Sequence, residues 1–405
     1  MSRKLYAGVD LGQRFHQVAV VDQGEELVGE PFKIERGRLG IEALLGAFRT
    51  LGSQPADVVV TIEATGNYWN ELVWALTPRG FCVYLAHPKK AHDLRRFYAL
   101  HTKTDVTDSE ALARMPLVDK KLKPVWVPSP AQQMLLRLCR LRWKNRCRIA
   151  DLKRRISYLA ETVVPGVDQV LPVRYSKSSR LFLRRYLSPQ KARRLGKKRL
   201  GELLSKAAWG KFSEKKHEWL WRCIESAPEL GWSADDLLLE VNVQLDELEG
   251  LENQVDRLDA RIAELYSEVD PEQRLKRVGG LGEFLSAALT AVVGDVRRFG
   301  NKKALVAYSG LPPRVKRSSG RTKSGQAMTK HGNPYLRAWA YLGASCARQY
   351  DPELNAYYHR LRRKGKHYNV ALCATAARLL ERVYEILSEG GQNEVESQDQ
   401  RACAG

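Results

Sequence analysis

At 238–269 apolar side chains recur at intervals of three and four residues: Leu238, Val241, Leu245, Leu248, Leu251, Val255, Leu258, Ile262, Leu265 and Val269, with one three-residue slip at Leu248 to Leu251. Strands have a period of two, so this pattern predicts one long helix whose apolar seam needs a second helix to cover it. The proline-free stretch 131–164 is the available partner. It carries Leu138, Ile149, Leu152, Ile156, Leu159 and Val163, interrupted by Arg142 and Asn145. The first stretch is basic and the second acidic, which favours their pairing as antiparallel coiled-coil arms over self-association of either. Ordinary amphipathic helices of a globular bundle would give the same pattern.

Upstream, 6–10, 16–22 and 26–34 read as three antiparallel strands, with Asp22-Gln23-Gly24 marking a hairpin. Helical spacing at 38–51 and 68–76 alternates with apolar strand-like runs at 57–63 and 81–86. Three antiparallel strands continued by parallel ones is the order of an α/β RNase H-like sheet. Asp10 ends one apolar strand and Glu63 another, so neighbouring strands would bring both carboxylates to one edge. Asp105 and Asp108, three apart in KTDVTDSEALA, share a face if a helix starts there. Carboxylates gathered in this way repel one another unless cations lie among them, and the set suits two magnesium ions acting on phosphoryl oxygens. Singly, each has a plainer role: Asp10 before Gly12 suits a turn, and Asp108 with Ser109 and Glu110 suits a helix start.

The chain has 67 Lys and Arg against 46 Asp and Glu, a net charge of +21, which points to a polyanion. The charge is local: residues 131–222 hold 25 basic against 6 acidic side chains, a net +19. A membrane surface would attract it equally, but no run of about 18 apolar residues and no signal-peptide pattern occurs, so the expected location is the cytoplasm. The seven cysteines form no CxxC pair and suit reduced thiols. In the insert 165–233 basic residues alternate with Tyr, Phe and Trp, a composition for RNA or another single-stranded partner. Most of Trp209, Trp219, Trp221 and Trp232 are nevertheless expected to pack inside, as tryptophan usually does.

The stretch 311–333, LPPRVKRSSGRTKSGQAMTKHGN, sets Ser318 and Ser319 among Arg314, Lys316, Arg317, Arg321, Lys323 and Lys330. A serine among phosphate-binding cations suits a nucleophile for a phosphodiester, and a solvated loop that merely holds nucleic acid fits as well. Before it, 277–294 has a Gly-rich turn between two helical patterns, like a helix-hairpin-helix, where backbone N–H groups could hold a phosphate or Gly279 and Gly280 could cap a helix. The tail 388–405 is polar and expected to be disordered.

GVDLG, TIEATGNY and KTDVTD, in that order, resemble the RuvC-like DEDD domain of transposases of the insertion-sequence family numbered one hundred and ten, which also includes Piv-type DNA invertases. The segment from 277 onward resembles that family's C-terminal domain: an aromatic-x-G-L-x-P-R pattern, a serine, then a GN pair matched here by TKHGN. Gly279 departs from the proline often found there. The resemblance covers the two ends and leaves the middle unmatched. It implies metal-binding acids at Asp10, Glu63, Asp105 and Asp108, and a nucleophile at Ser318, with Ser319 selected if the alignment shifts by one. It further implies a DNA recombinase with magnesium, a guiding bridge RNA that pairs with donor and target DNA, and a tetramer in which one subunit's serine meets another's metal site. The expected domains are 1–130, 131–270 with the insert 165–233, and 271–387. Two rival expectations are a plain metal-dependent nuclease of the junction-resolving type and a non-catalytic RNA-binding scaffold.

Overall fold

Alternation of Ala7 and Val9 with Gly8 and Asp10 gives Leu5–Leu11 (β1) two different faces, and it sits at the centre of a five-stranded sheet. The computed structural model describes residues 4–64, 66, 68–99, 104–120, 122–171, 175–209, 212–313, 317–318, 321–322 and 327–402. β1 pairs antiparallel with Phe15–Val21 (β2), which pairs antiparallel with Phe32–Glu35 (β3). On its other side β1 runs parallel to Val58–Glu63 (β4), itself parallel to Cys82–Ala86 (β5), giving the order β3-β2-β1-β4-β5. The third strand is shorter than the expected 26–34. Gly29 at φ 79° turns the chain, Pro31 offers no N–H to a ladder, and only a lone bridge, Val21 to Leu27, precedes Phe32.

One face of the sheet buries Ala7, Val9, Val18, Val20, Val60 and Ile62 against Leu44 and Phe48 of Arg38–Thr50 (α1) and Leu72 and Leu76 of Trp69–Leu76 (α2). Pro88–Ala99 (α3) leads to Asp105–Val118 (α4), which lies directly on β1. Gly8 permits that approach: a Cβ there would collide with the Ser109 carbonyl oxygen and the Ala113 amide nitrogen. These elements form one compact unit, Met1–Pro128, and Ser129–Gly405 form a second.

In the second unit Pro130–Val163 (α5) and Ala234–Val269 (α10) pack antiparallel, as the cross-helix pairs show: Arg142 to Asp259, Asn145 to Gln254 and Arg148 to Glu247. The seam residues from Leu238 to Val255 are buried. Between the two helices come Lys177–Tyr186 (α6), Pro189–Leu195 (α7), Lys197–Ala207 (α8) and Glu214–Glu225 (α9), whose Phe182, Leu200, Leu204, Leu220 and Ile224 share a core with that seam. The tryptophans depart from expectation. Trp209 is 80%, Trp219 44% and Trp232 50% exposed, so these rings lie at the rim of a core that takes in Tyr175, Phe182 and Phe212 instead.

At the opposite end of the pair, Leu135, Cys139, Ile262, Leu265 and Tyr266 enter another core with Glu283–Val293 (α11), Lys302–Ser309 (α12), Pro334–Tyr350 (α13), Pro352–Arg363 (α14) and Tyr368–Ala402 (α15), around a fully buried Trp339. The long helices therefore share cores with the insert and with the C-terminal helices. α15 continues through 388–402, where polar composition pointed to disorder. The first half of the expected helix-hairpin-helix is only a 3-10 turn, Arg274–Arg277. Gly279 and Gly280 are turned inward: added Cβ atoms would lie 2.7 Å from the Tyr350 carbonyl oxygen and 2.9 Å from Ala347, so glycine is needed there for close backbone approach. No helix among the described residues is long and apolar enough to cross a membrane, and the six described cysteines are free thiols.

Candidate active site

The register Val9 to Ile62 carries β1 and β4 side by side to their ends, so Asp10 and Glu63 emerge at one edge of the sheet. The other two acids come from the first turn of α4. Thr104 caps that helix, its hydroxyl accepting from the Thr107 N–H at 3.2 Å while the Thr104 N–H donates to the Thr107 hydroxyl at 3.1 Å. Asp105 and Asp108 in the first turn also favour the helix electrostatically. Because α4 is seated against Gly8, this turn lies near Asp10.

Asp10 registers the proximity. Burial, and then the charges of Asp108, Asp105 and Glu63, push its carboxyl up to about 6, opposed by a hydrogen bond from the Leu11 N–H. Asp108 already has a cationic partner. Nη1 of Arg95, on α3, donates to its two oxygens at 3.0 and 3.2 Å, and both side chains are largely buried. Among the described residues no three His, Cys, Asp or Glu side chains close into a cage for an ion. The donors nonetheless suit a hard divalent cation in kind: all are carboxylate oxygens, and Asp10, raised first by burial, is raised further by the charges of the other three. On the opposite face of the sheet, buried His16 meets Glu71 at 2.9 Å and Arg36 donates to the same carboxylate, tying α2 to this edge.

The serine lies on a β-arm rather than a free loop. Arg317–Ser318 (β6) and Arg321–Thr322 (β7) pair antiparallel, Ser318 opposite Arg321. The arm's base is fastened to the helical core: Thr329 N–H donates to the Pro312 carbonyl at 2.9 Å, Lys330 N–H to Gly310 at 3.1 Å and Asn333 N–H to Tyr308 at 2.7 Å. Asn333 then caps α13 through the Tyr335 and Leu336 N–H groups, and Gly332 sits where a Cβ would meet the Tyr308 carbonyl, so TKHGN has a structural role here. Lys330 is exposed, with φ 55°. Arg314, Lys316, Lys323 and Ser319 lie outside the described residues. Sequence reasoning missed Arg95; its one signal is the basic run DLRRFY just ahead of the acid pair.

A family model described as a transposase, of the DEDD type of IS110, matches residues 7–165, and one described as transposase of the IS116/IS110/IS902 family matches residues 272–359. The acid-bearing sheet and the C-terminal helical domain are therefore those of an insertion-sequence transposase. More closely, the chain belongs to the IS110 family. It is 23% identical over 398 residues to the insertion element IS900 uncharacterized 42 kDa protein of Mycobacterium paratuberculosis, covering 96% of this chain and 97% of the relative. It is 26% identical over 418 residues to the mini-circle putative transposase for IS117 of Streptomyces coelicolor, covering 100% and 97%. It is 22% identical over 332 residues to the pilin gene-inverting protein of Moraxella lacunata, covering 81% and 79%. Among solved structures, T. thermophilus RuvC in complex with a Holliday junction substrate aligns with 30% of this chain and 99% of its own, at a TM-score of 0.24 and 13% identity, a likeness too slight to bear on function. The DEDD class implies a divalent metal.

Proposed function

We propose that this transposase cuts and rejoins DNA through a phosphoserine at Ser318, with magnesium held by Asp10, Glu63, Asp105 and Asp108. The observation that carries the proposal is geometric: the β1–β4 register sets Asp10 beside Glu63, and α4, seated against Gly8, brings Asp105 and Asp108 in its first turn to the same end of the sheet. Magnesium would supply the positive charge for the attacking and leaving oxygens. Ser318 Oγ gives up its proton and bonds to phosphorus as the bond from phosphorus to a deoxyribose oxygen breaks, and the freed oxygen takes a proton. One phosphodiester replaces another, so the reverse step rejoins exchanged strands without ATP. Arg314, Lys316, Arg317, Arg321 and Lys323 are assigned to the phosphate and its developing charge, and Lys330 to flanking phosphates.

Donor and target DNA, a non-coding guide RNA and a tetramer complete the reading, which rests on the family resemblance and on the net charge of +21. The exposed rings of Trp219 and Trp232 support the insert 165–233 as a surface for unpaired RNA. Replacing Ser318 by Ala should abolish both the protease-sensitive protein–DNA adduct and recombination, while DNA binding persists. Mass spectrometry of a trapped complex should place the nucleotide on the Ser318 peptide. Attachment at Ser319 would move the nucleophile by one, and normal cleavage by the double Ala variant would leave a plain metal-dependent nuclease.

A further inference from the structure

Part of the basic charge in the middle of the chain is already engaged. Arg142 pairs with Asp259, Arg148 with Glu247, Lys153 with Glu252, Arg180 with Glu249 and Glu252, Arg184 with Asp246 and Glu249, and Lys191 with Asp235. A different run stays unneutralised. Arg360, Arg362, Arg363, Lys364 and Lys366, at the turn from α14 to α15, are all exposed or nearly so, and among the described residues none has an acidic partner. From 354 to 380 the sequence contains no Asp or Glu. Arginines further along α15 behave otherwise: Arg378 pairs with Glu353 and Glu381, and Arg382 with Asp351.

The turn is stiff. Gly365 at φ 74° ends α14, with Gly365 N–H donating to the Arg362 carbonyl at 3.0 Å, Lys366 N–H to Leu361 at 3.2 Å and Arg362 Nη1 to the Lys366 carbonyl at 2.8 Å. Leu354 and Tyr358 anchor the helix in the core. One or two cations at a helix C-terminus are explained by the macrodipole, worth about half a unit charge. Five in seven residues exceed it, and their mutual repulsion calls for an external anion. The nearby rings are occupied: Arg360 lies 5.0 Å over Tyr357, and Tyr368 is edge-on to Tyr358 with Arg348 5.8 Å over its ring. Unpaired bases need open ring faces to stack upon, whereas a duplex offers only its phosphates to a surface like this.

We propose that the α14–α15 turn is a sequence-independent docking surface for the phosphate backbone of duplex DNA, through Arg360, Arg363, Lys364 and Lys366. It lies outside the serine arm and does not depend on the phosphoserine chemistry. The test is binding of the full-length protein to a random-sequence DNA duplex in EDTA, read by fluorescence anisotropy over a salt series, so failure of cleavage leaves it untouched. The variant R363Q/K364Q/K366Q removes three charges that form no ion pair within the protein. Its slope of log affinity against log salt should be shallower by about 0.9 for each phosphate no longer neutralised, roughly 2 to 3 in all. The charge-preserving R363K/K364R/K366R should restore the wild-type slope, and equal melting temperatures would exclude unfolding. Should the triple variant melt early, each single Gln substitution should lower the slope by about 0.9. An unchanged duplex slope overturns the proposal, as does a slope change confined to single-stranded RNA.

Discussion

Asp10 holds a charge that its surroundings resist, and this has a measurable signature. Its folded-state pKa of about 6 lies above the ordinary 3.8, so between those values the native state binds more protons than the unfolded one. Stability contributed by the protonated form is complete below about pH 4 and is lost as pH rises through about 6. In EDTA, Asp10→Asn should therefore melt with wild type near pH 4 and increasingly above it up to pH 6, after which the gap is constant. Divalent cation should narrow the gap by stabilising wild type. A gap independent of pH would detach Asp10 from the acid cluster. Arg95 is the counterpart. Removing one member of a largely buried ion pair leaves the other charge unmatched, so Arg95→Gln should cost roughly 1.5–3 kcal/mol in EDTA, measured by urea unfolding, with part of the loss recovered on adding magnesium. The acids were legible in the sequence because strand ends and helix starts can be read locally. Arg95 was not, because its pairing depends on how α3 folds back on α4.

At the scale of elements, the sheet order and the two long helices followed from period and sequence order, since both signals are local. Polar breaks in one seam were legible as breaks, but that Asn145 would meet Gln254 and Arg142 would meet Asp259 depends on the register between helices, which periodicity leaves open. The third strand and the exposed tryptophans were misjudged for a related reason: composition records what a residue can do, while Gly29, Pro31 and the packing around each ring decide what it does. Gly8 is the most telling meeting point between elements. Its missing side chain lets α4 rest on β1 and so carries Asp105 and Asp108 toward Asp10. Gly8→Ala should push the helix away, destabilising the unit by about 3 kcal/mol or more in urea melts and abolishing cleavage. An active Gly8→Ala enzyme of normal stability would show that the helix can yield without loss of the site.

Over the whole molecule, the chemistry proposed here is divided between two compact units: the acids lie within Met1–Pro128 and the serine within Ser129–Gly405. Neither half suffices for the proposed reaction, because a serine hydroxyl is a weak nucleophile without activation and carboxylates alone offer no covalent acceptor. The tetramer implied by the family resemblance sets one subunit's serine against another's metal site, so that one catalytic centre draws its halves from two chains, not from one. Mixing inactive variants tests this. In a centre built within one chain, Asp10→Asn and Ser318→Ala subunits are each defective, and co-assembly restores nothing. In a centre shared between chains, a mixed assembly contains sites joining the intact acids of the Ser318→Ala subunit to the intact serine of the Asp10→Asn subunit. Co-expression of the two should then recover adduct formation at a substantial fraction of wild type, and the nucleotide should be attached only to the Asp10→Asn chain, which a size tag distinguishes on a denaturing gel. No adduct from co-purified mixed assemblies, with each variant folded and DNA-bound, would assign acids and serine to the same subunit.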